Sequence, residues 1–92
     1  MNVGLLKIDI FIPHSNSLKD KRRITSSIKA RIKNRFNVSI AEVPNNTWQR
    51  ASFYIACVNS SVGLVEGIFA SIKKDIENGR DFHLIDFEHT FL

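Results

Sequence analysis

The chain has 92 residues, 43% of them hydrophobic and 24% charged, with a formal net charge of +4. That is the length of one domain, residues 1–92, with a single modest core, and the composition of an ordinary soluble globular protein. No apolar run reaches the roughly 18 residues of a membrane span, Asp9 breaks the N-terminal apolar stretch with no basic segment before it, and the lone Cys57 can form no internal disulfide, so a cytoplasmic protein is expected.

In chain order, Asn2 to Ile12 alternates as a strand, with Leu6, Ile8, Ile10 and Ile12 on one face and Lys7, Asp9 and Phe11 on the other. Pro13-His14-Ser15-Asn16 reads as a loop. Ser17 then stands as a helix N-cap with Asp20 three residues on, an Asp form of the capping box. A helical wheel gathers Leu18, Ile24, Ile28, Ile32 and Phe36 into one buried stripe and puts Lys19, Arg22, Arg23, Lys29 and Lys33 opposite it. Lys21, Arg31 and Arg35 fall nearer the boundary, where their aliphatic stems must snorkel.

Asn37 to Val43 is a second strand, and Pro44-Asn45-Asn46-Thr47 a turn. Trp48 to Val58 is a third strand, with Phe53, Ile55 and Cys57 on one face and Tyr54 and Val58 on the other. A second helix runs from Ser61 to Asn78 with Val62, Val65, Phe69, Ile72 and Ile76 as its stripe, ended by Gly79 at the C′ position. Gly63 and Gly67 inside it each cost about 1 kcal/mol relative to Ala, which a close approach of the helix to the sheet would offset. Phe82 to Leu92 is the last strand, with Ile85, Phe87 and Phe91 on one face. The order βαββαβ predicts a ferredoxin-like α+β domain: a four-stranded antiparallel sheet with two helices on one face and the other face open.

The charge is not spread evenly. Eight of the thirteen Lys and Arg residues lie between Leu18 and Phe36 against one acid, Asp20, while the rest of the chain carries five bases and eight acids. A one-sided cationic surface attracts polyanions, nucleic acid above all. The ordinary alternative is a solvated helix face, but this excess lacks the acids at i+4 that such a face usually has. Lys19, Lys21, Arg22 and Arg23 also crowd the helix N-terminus, where the macrodipole disfavours cations by about 0.3–1 kcal/mol each. A bound phosphate would answer both features. Ser17, Lys19, Lys21, Arg22 and Arg23 are therefore the expected phosphate contacts, extended along the helix by Lys29 and Lys33. Trp48 can stack on a base and Arg50 can hold a phosphate, although Trp48 can equally cap the core or sit in a dimer contact. The open sheet face, with Phe11, Tyr54 and Lys7, fits burial in a homodimer better than RNA reading, because Arg50-Ala51-Ser52-Phe53-Tyr54-Ile55 lacks the glycine of an RNA-recognition signature.

Further motifs carry a family resemblance. Ser17-Leu18-Lys19-Asp20-Lys21-Arg22-Arg23, Arg35-Phe36-Asn37-Val38-Ser39, Ala41-Glu42-Val43 and Trp48-Gln49-Arg50-Ala51 resemble those of the YlxP-like family of small bacterial proteins, a domain of unknown function. The likeness runs along essentially the whole chain. It implies a ferredoxin-like fold and, because such proteins are often encoded beside translation-initiation and ribosome-maturation factors, an association with ribosome maturation. The glycine-containing, weakly charged first half of the second helix departs from the family pattern. The family brings no biochemical activity to transfer.

Catalytic and metal chemistry find little support. His83 and His89, six apart on one strand, are expected on the same face about 20 Å from each other, too far to share a metal. His14 has no nucleophile and orienting acid to work with, and Cys57 reads as a small core residue. Acylphosphatases share the βαββαβ order, but their phosphate cradle is a Gly- and Arg-containing loop after strand one, where this chain has Pro13-His14-Ser15-Asn16-Ser17. The expectation is a non-enzymatic protein without metal or cofactor that binds structured RNA or the ribosome; the alternative is a homo-oligomeric adaptor whose basic helix meets an acidic protein.

Overall fold

Strict alternation of apolar residues makes two ten-residue strands, β1 (Asn2–Phe11) and β3 (Arg50–Asn59), which pair antiparallel along their full length in the computed structural model, covering residues 1–92. β4 (His83–Phe91) joins the free edge of β1, and the short β2 (Ser39–Glu42) joins β3, so that the sheet order is β2-β3-β1-β4 with every pair antiparallel. The helices α1 (Leu18–Arg35) and α2 (Val62–Glu77) cover one face. This is the ferredoxin-like α+β arrangement expected from the βαββαβ order.

The core lies between sheet and helices. Leu6, Ile8 and Ile10 of β1 and Phe53 and Ile55 of β3 meet Ile28 and Ile32 of α1 and Val65, Phe69 and Ile72 of α2, each buried to within 2% of completely. Burying a side chain of this kind contributes roughly 1.5–3 kcal/mol, which is what commits the odd and even positions of the strands to opposite faces. Val3, Leu5, Lys7, Asp9 and Phe11 consequently face away from the helices, opposite Val58, Ala56, Tyr54, Ser52 and Arg50 of β3.

Three local expectations change. The register of β4 against β1 slips between Asp9 and Ile10: Asp9 faces Asp86 but Ile10 faces Leu84, so Ile85 is the extra residue of a bulge. Leu84 rather than Ile85 packs on the core with Phe87 and Phe91, while Ile85 stays 46% exposed. The same slip puts His83, opposite Phe11, on the open face, and His89, opposite Leu6, on the helix face beside the ring of Phe69. The two histidines therefore do not share a face.

Gly79 directly follows the Asn78 cap of α2, as expected, but its backbone is not left-handed, since no residue has a positive φ. A Cβ there would overlap the ring of Phe82, so glycine is required by the ring's approach and not by a special φ.

Gly63 and Gly67 do not mark a close approach to the sheet. A Cβ on Gly67 would meet nothing within 4 Å, and one on Gly63 only Ser61 Oγ at 3.7 Å; the close approach between α2 and the sheet is at Gly4 of β1. Gly67→Ala is accordingly expected to stabilise the fold by about 1 kcal/mol, raising the thermal midpoint by about 5 °C. A thermal melt of this variant that is unchanged or lower would show that the helix backbone is not free to gain what the side chain offers.

Candidate functional site

The start of α1 is closed by its own residues. Ser17 Oγ accepts from the backbone N–H of Asp20 at 3.1 Å, and Asp20 Oδ2 accepts from the backbone N–H of Asn16 at 3.1 Å. The reciprocal bond of the capping box thus reaches one residue further back than Ser17. Asp20 supplies the negative charge that the helix dipole favours at this end, in the place where a phosphate was expected. Ser17 Oγ accepts in the cap, which leaves its O–H as a donor at the helix N-terminus.

Lys21 also departs from expectation. Its side chain is only 3% exposed, and Nζ donates to the Asn45 carbonyl at 3.3 Å, Asn45 Oδ1 at 2.8 Å and the Thr47 carbonyl at 2.8 Å. Asn45 Oδ1 accepts from the Thr47 N–H as well, at 2.8 Å, closing an Asx turn around the ammonium. Burial pushes the Lys21 ammonium below its ordinary range, with the charge of Glu42 working in the opposite direction. Lys21 ties the turn before Trp48 to α1 and does not reach the outer surface. The signal was present in the sequence: at 100° per residue Lys21 lies about 20° from both Ile28 and Ile32, at the centre of the apolar arc and not at its boundary.

Three more of the helix cations are matched by carboxylates. Lys29 Nζ lies 3.3 Å from Glu42 Oε1, while Arg31 Nε and Arg35 Nη1 take the two oxygens of Asp75 at 3.2 and 3.0 Å. These are partly solvated pairs of modest strength, so Lys29 keeps cationic character at the surface. Lys19, Arg22, Arg23 and Lys33 are exposed and have no acid within ion-pair distance. Arg22 and Lys33 fall on one line along the outer face, roughly 16 Å apart by helix rise, with Lys29 between them.

Trp48 stands 52% exposed, which removes it from the core. It walls a cleft of about 390 Å³ with Ser15, Asn16, Asn46 and Gln49, beside the first turn of α1. Three bonds hold this wall: the Ile12 N–H donates to the Gln49 carbonyl at 2.8 Å, and Gln49 Nε2 donates to the carbonyls of Pro13 at 3.2 Å and Ser15 at 3.5 Å. Trp48 and the basic helix thus share one end of the molecule. Arg50 does not join them. It alternates with buried Ala51 and pairs with Phe11, so it faces the open side of the sheet, away from α1. Cys57, on the helix face of β3, is buried with its thiol pushed up by burial, as a small core residue should be.

Fold and surface define a small ferredoxin-like α+β domain with one cationic helix face and a bare sheet face. The chain belongs to the family described as "Protein of unknown function (DUF503)", whose model matches residues 3–89. It is 45% identical over 60 residues to the uncharacterized protein YlxP of Bacillus subtilis (strain 168), a match that takes in 64% of this chain and 65% of that protein's length. The YlxP-like resemblance carried by the Ser17 to Arg23 and Trp48 to Ala51 motifs is therefore correct. No helix is long and apolar enough to cross a membrane.

Proposed function

We propose that this protein is a non-enzymatic cytoplasmic binder of structured RNA, with the ribosome as the carrier of that RNA and ribosome maturation as its setting, and that the outer face of α1 makes the contact. The observation that carries this reading is the set of exposed cations on that face, Lys19, Arg22, Arg23 and Lys33, left without carboxylate partners on a domain that elsewhere has an excess of acids. Phosphodiester oxygens would replace the missing partners and release counterions from the RNA. Trp48 and the amides of Asn46 and Gln49 border the same end of the helix and suit an unstacked base.

The test is a titration of a short RNA hairpin across a range of salt concentrations with wild type and Arg22→Ala/Arg23→Ala. Both residues are exposed, so the variant folds. Its affinity is expected to fall about tenfold or more, and the slope of log K against log salt to shrink by about 2, one per lost phosphate contact. Affinity indifferent to salt, or equal in the two proteins, overturns the reading.

A second reading, a homo-oligomeric adaptor without RNA, is favoured by the open sheet face, where Val58 is 55%, Tyr54 40% and Phe11 37% exposed. A second copy of the chain could cover these residues. Sedimentation of the protein free of nucleic acid separates the readings: a monomer at all concentrations removes this one.

A further inference from the structure

Between α1 and the turn that joins α2 to β4 lies a cleft of about 470 Å³, open to solvent, with Arg23, Ser27 and Arg31 on one wall and Arg80 and Asp81 on the other. Ile24, Ile28 and Phe82 form its apolar floor. Arg23, Ser27 and Arg31 recur at four-residue spacing, so one stripe of α1 presents all three to the cleft. This stripe runs beside the line of Arg22, Lys29 and Lys33 on the outer face, and Arg23 stands at the border of the two.

Three arginines and one carboxylate, Asp81, line this cleft, and Asp81 pairs with none of the three within 4 Å. Arg31 is further under-satisfied. Its Nε is bound to Asp75, but its Nη2 is shut off from solvent and has no acceptor, although the side chain as a whole keeps 38% exposure. An unpaired buried donor on a charged group is costly and asks for an explanation. Asp75 offers one, because its other oxygen is held by Arg35. If Arg31 turns from Asp75 into the cleft, the carboxylate keeps a cationic partner and Nη2 gains room for an acceptor.

We propose that this cleft is a binding site for a phosphate monoester of mononucleotide size: the phosphoryl oxygens accept from Arg31 and Arg80, with Arg23 at the rim, and the flat organic part lies on Ile24, Ile28 and Phe82. The planar guanidinium fork matches phosphoryl oxygens in pairs. The volume lies in the range of small-ligand pockets, and a lining in which charged and polar residues outnumber Ile24, Ile28 and Phe82 suits an anionic ligand. The site does not depend on RNA lying along the outer face of α1.

The probes are adenosine 5′-monophosphate, adenosine and inorganic phosphate, followed by amide chemical shifts. The monophosphate is expected to move the resonances of Ser27, Arg31, Gly79 and Arg80, and adenosine to leave them in place. Arg80→Ala, a change at an exposed turn, is expected to weaken monophosphate binding about tenfold. Retention of wild-type affinity by Arg80→Ala, shifts equal for adenosine and the monophosphate, or no shifts in this cleft overturns the site. A parallel titration with a short oligonucleotide carrying either a 5′-phosphate or a 5′-hydroxyl identifies the source: tighter binding of the phosphorylated strand than of the mononucleotide marks an RNA end, and no gain marks a free small molecule. Failure here leaves the RNA reading standing, because Arg80 lies off the outer line of α1 and a mononucleotide has no chain to follow that line.

Discussion

Gly4→Ala is expected to cost about 3 kcal/mol, although it adds a single methyl group. A Cβ at this position would stand 2.6 Å from Val65 Cγ1 and 2.9 Å from Phe69 Cε2. Both neighbours are fully buried on α2, and neither can turn aside cheaply. Valine in a helix has one strongly preferred rotamer, and the Phe69 ring also packs against His89, with ring centroids 5.7 Å apart. The strain must be taken up by lifting the first turns of α2 from β1, and overpacking of this kind costs about 1–3 kcal/mol. Val65→Ala alone should cost about 2 kcal/mol in lost burial. It also vacates the space that the new methyl needs, so the double variant should be more stable than the sum of the two single changes requires, by about 1 kcal/mol or more. Urea unfolding of the four proteins gives the answer. Strict additivity would mean that Gly4 is required by something other than its contact with Val65.

The contrast between Gly4 and Gly67 shows what a sequence does and does not contain. Both are glycines within regular elements, and propensity gives them the same penalty. Which one permits close packing depends on where α2 crosses the sheet, a long-range property that no local pattern records. The element order and the core faces of β1, β3 and most of both helices were legible, because periods of 2 and 3.6 follow directly from burial on one side; Val62, placed in the α2 stripe, is 40% exposed at the helix start. β4 was harder. A single extra residue at Ile85 inverts the facing of everything before it, so a strict alternation assigned Ile85 to the core and put both histidines on one side.

The candidate site divides in the same way. The clustering of cations on α1 could be counted from the sequence, and the outer positions Lys19, Arg22, Arg23 and Lys33 are indeed exposed and unpaired. Their partners could not be counted. Asp75 takes Arg31 and Arg35 from forty or more positions away, and Glu42 takes Lys29 from the neighbouring strand. Arg50 stands two residues from Trp48 in the sequence, yet it faces the open side of the sheet while Trp48 borders the cleft with Ser15 and Asn16. Lys21 is the instructive miss. Its charge invited a role at the surface, whereas its angular position in the apolar arc already predicted burial, and position decided.

Lys21→Met should therefore destabilise the domain by about 2 kcal/mol while changing no residue that faces outward. The methionine keeps most of the buried stem but leaves two carbonyls and the Asn45 amide oxygen without the donor they converge on; hydrogen bonds to a charged group are worth about 1.5–3 kcal/mol in such settings. The loss should concentrate in the turn from Pro44 to Gln49, where amide hydrogen exchange should speed up more than in the strands. Trp48 rides on that turn, so the RNA contact proposed above should weaken in Lys21→Met even though the Lys21 side chain is buried. The pH dependence supplies a sign that a mere loss of packing would not give. The fold holds the Lys21 proton less tightly than the unfolded chain does, whose value is 10.5. At neutral pH the lysine is charged in both states, and the cost of burying that charge is carried in full. As pH rises toward 10.5, the folded state sheds the proton first and the cost is relieved. The stability difference between wild type and Lys21→Met should accordingly widen from neutral pH toward 10.5. A difference that narrows over this interval would mean that the three oxygens around Nζ stabilise the ammonium by more than burial disfavours it.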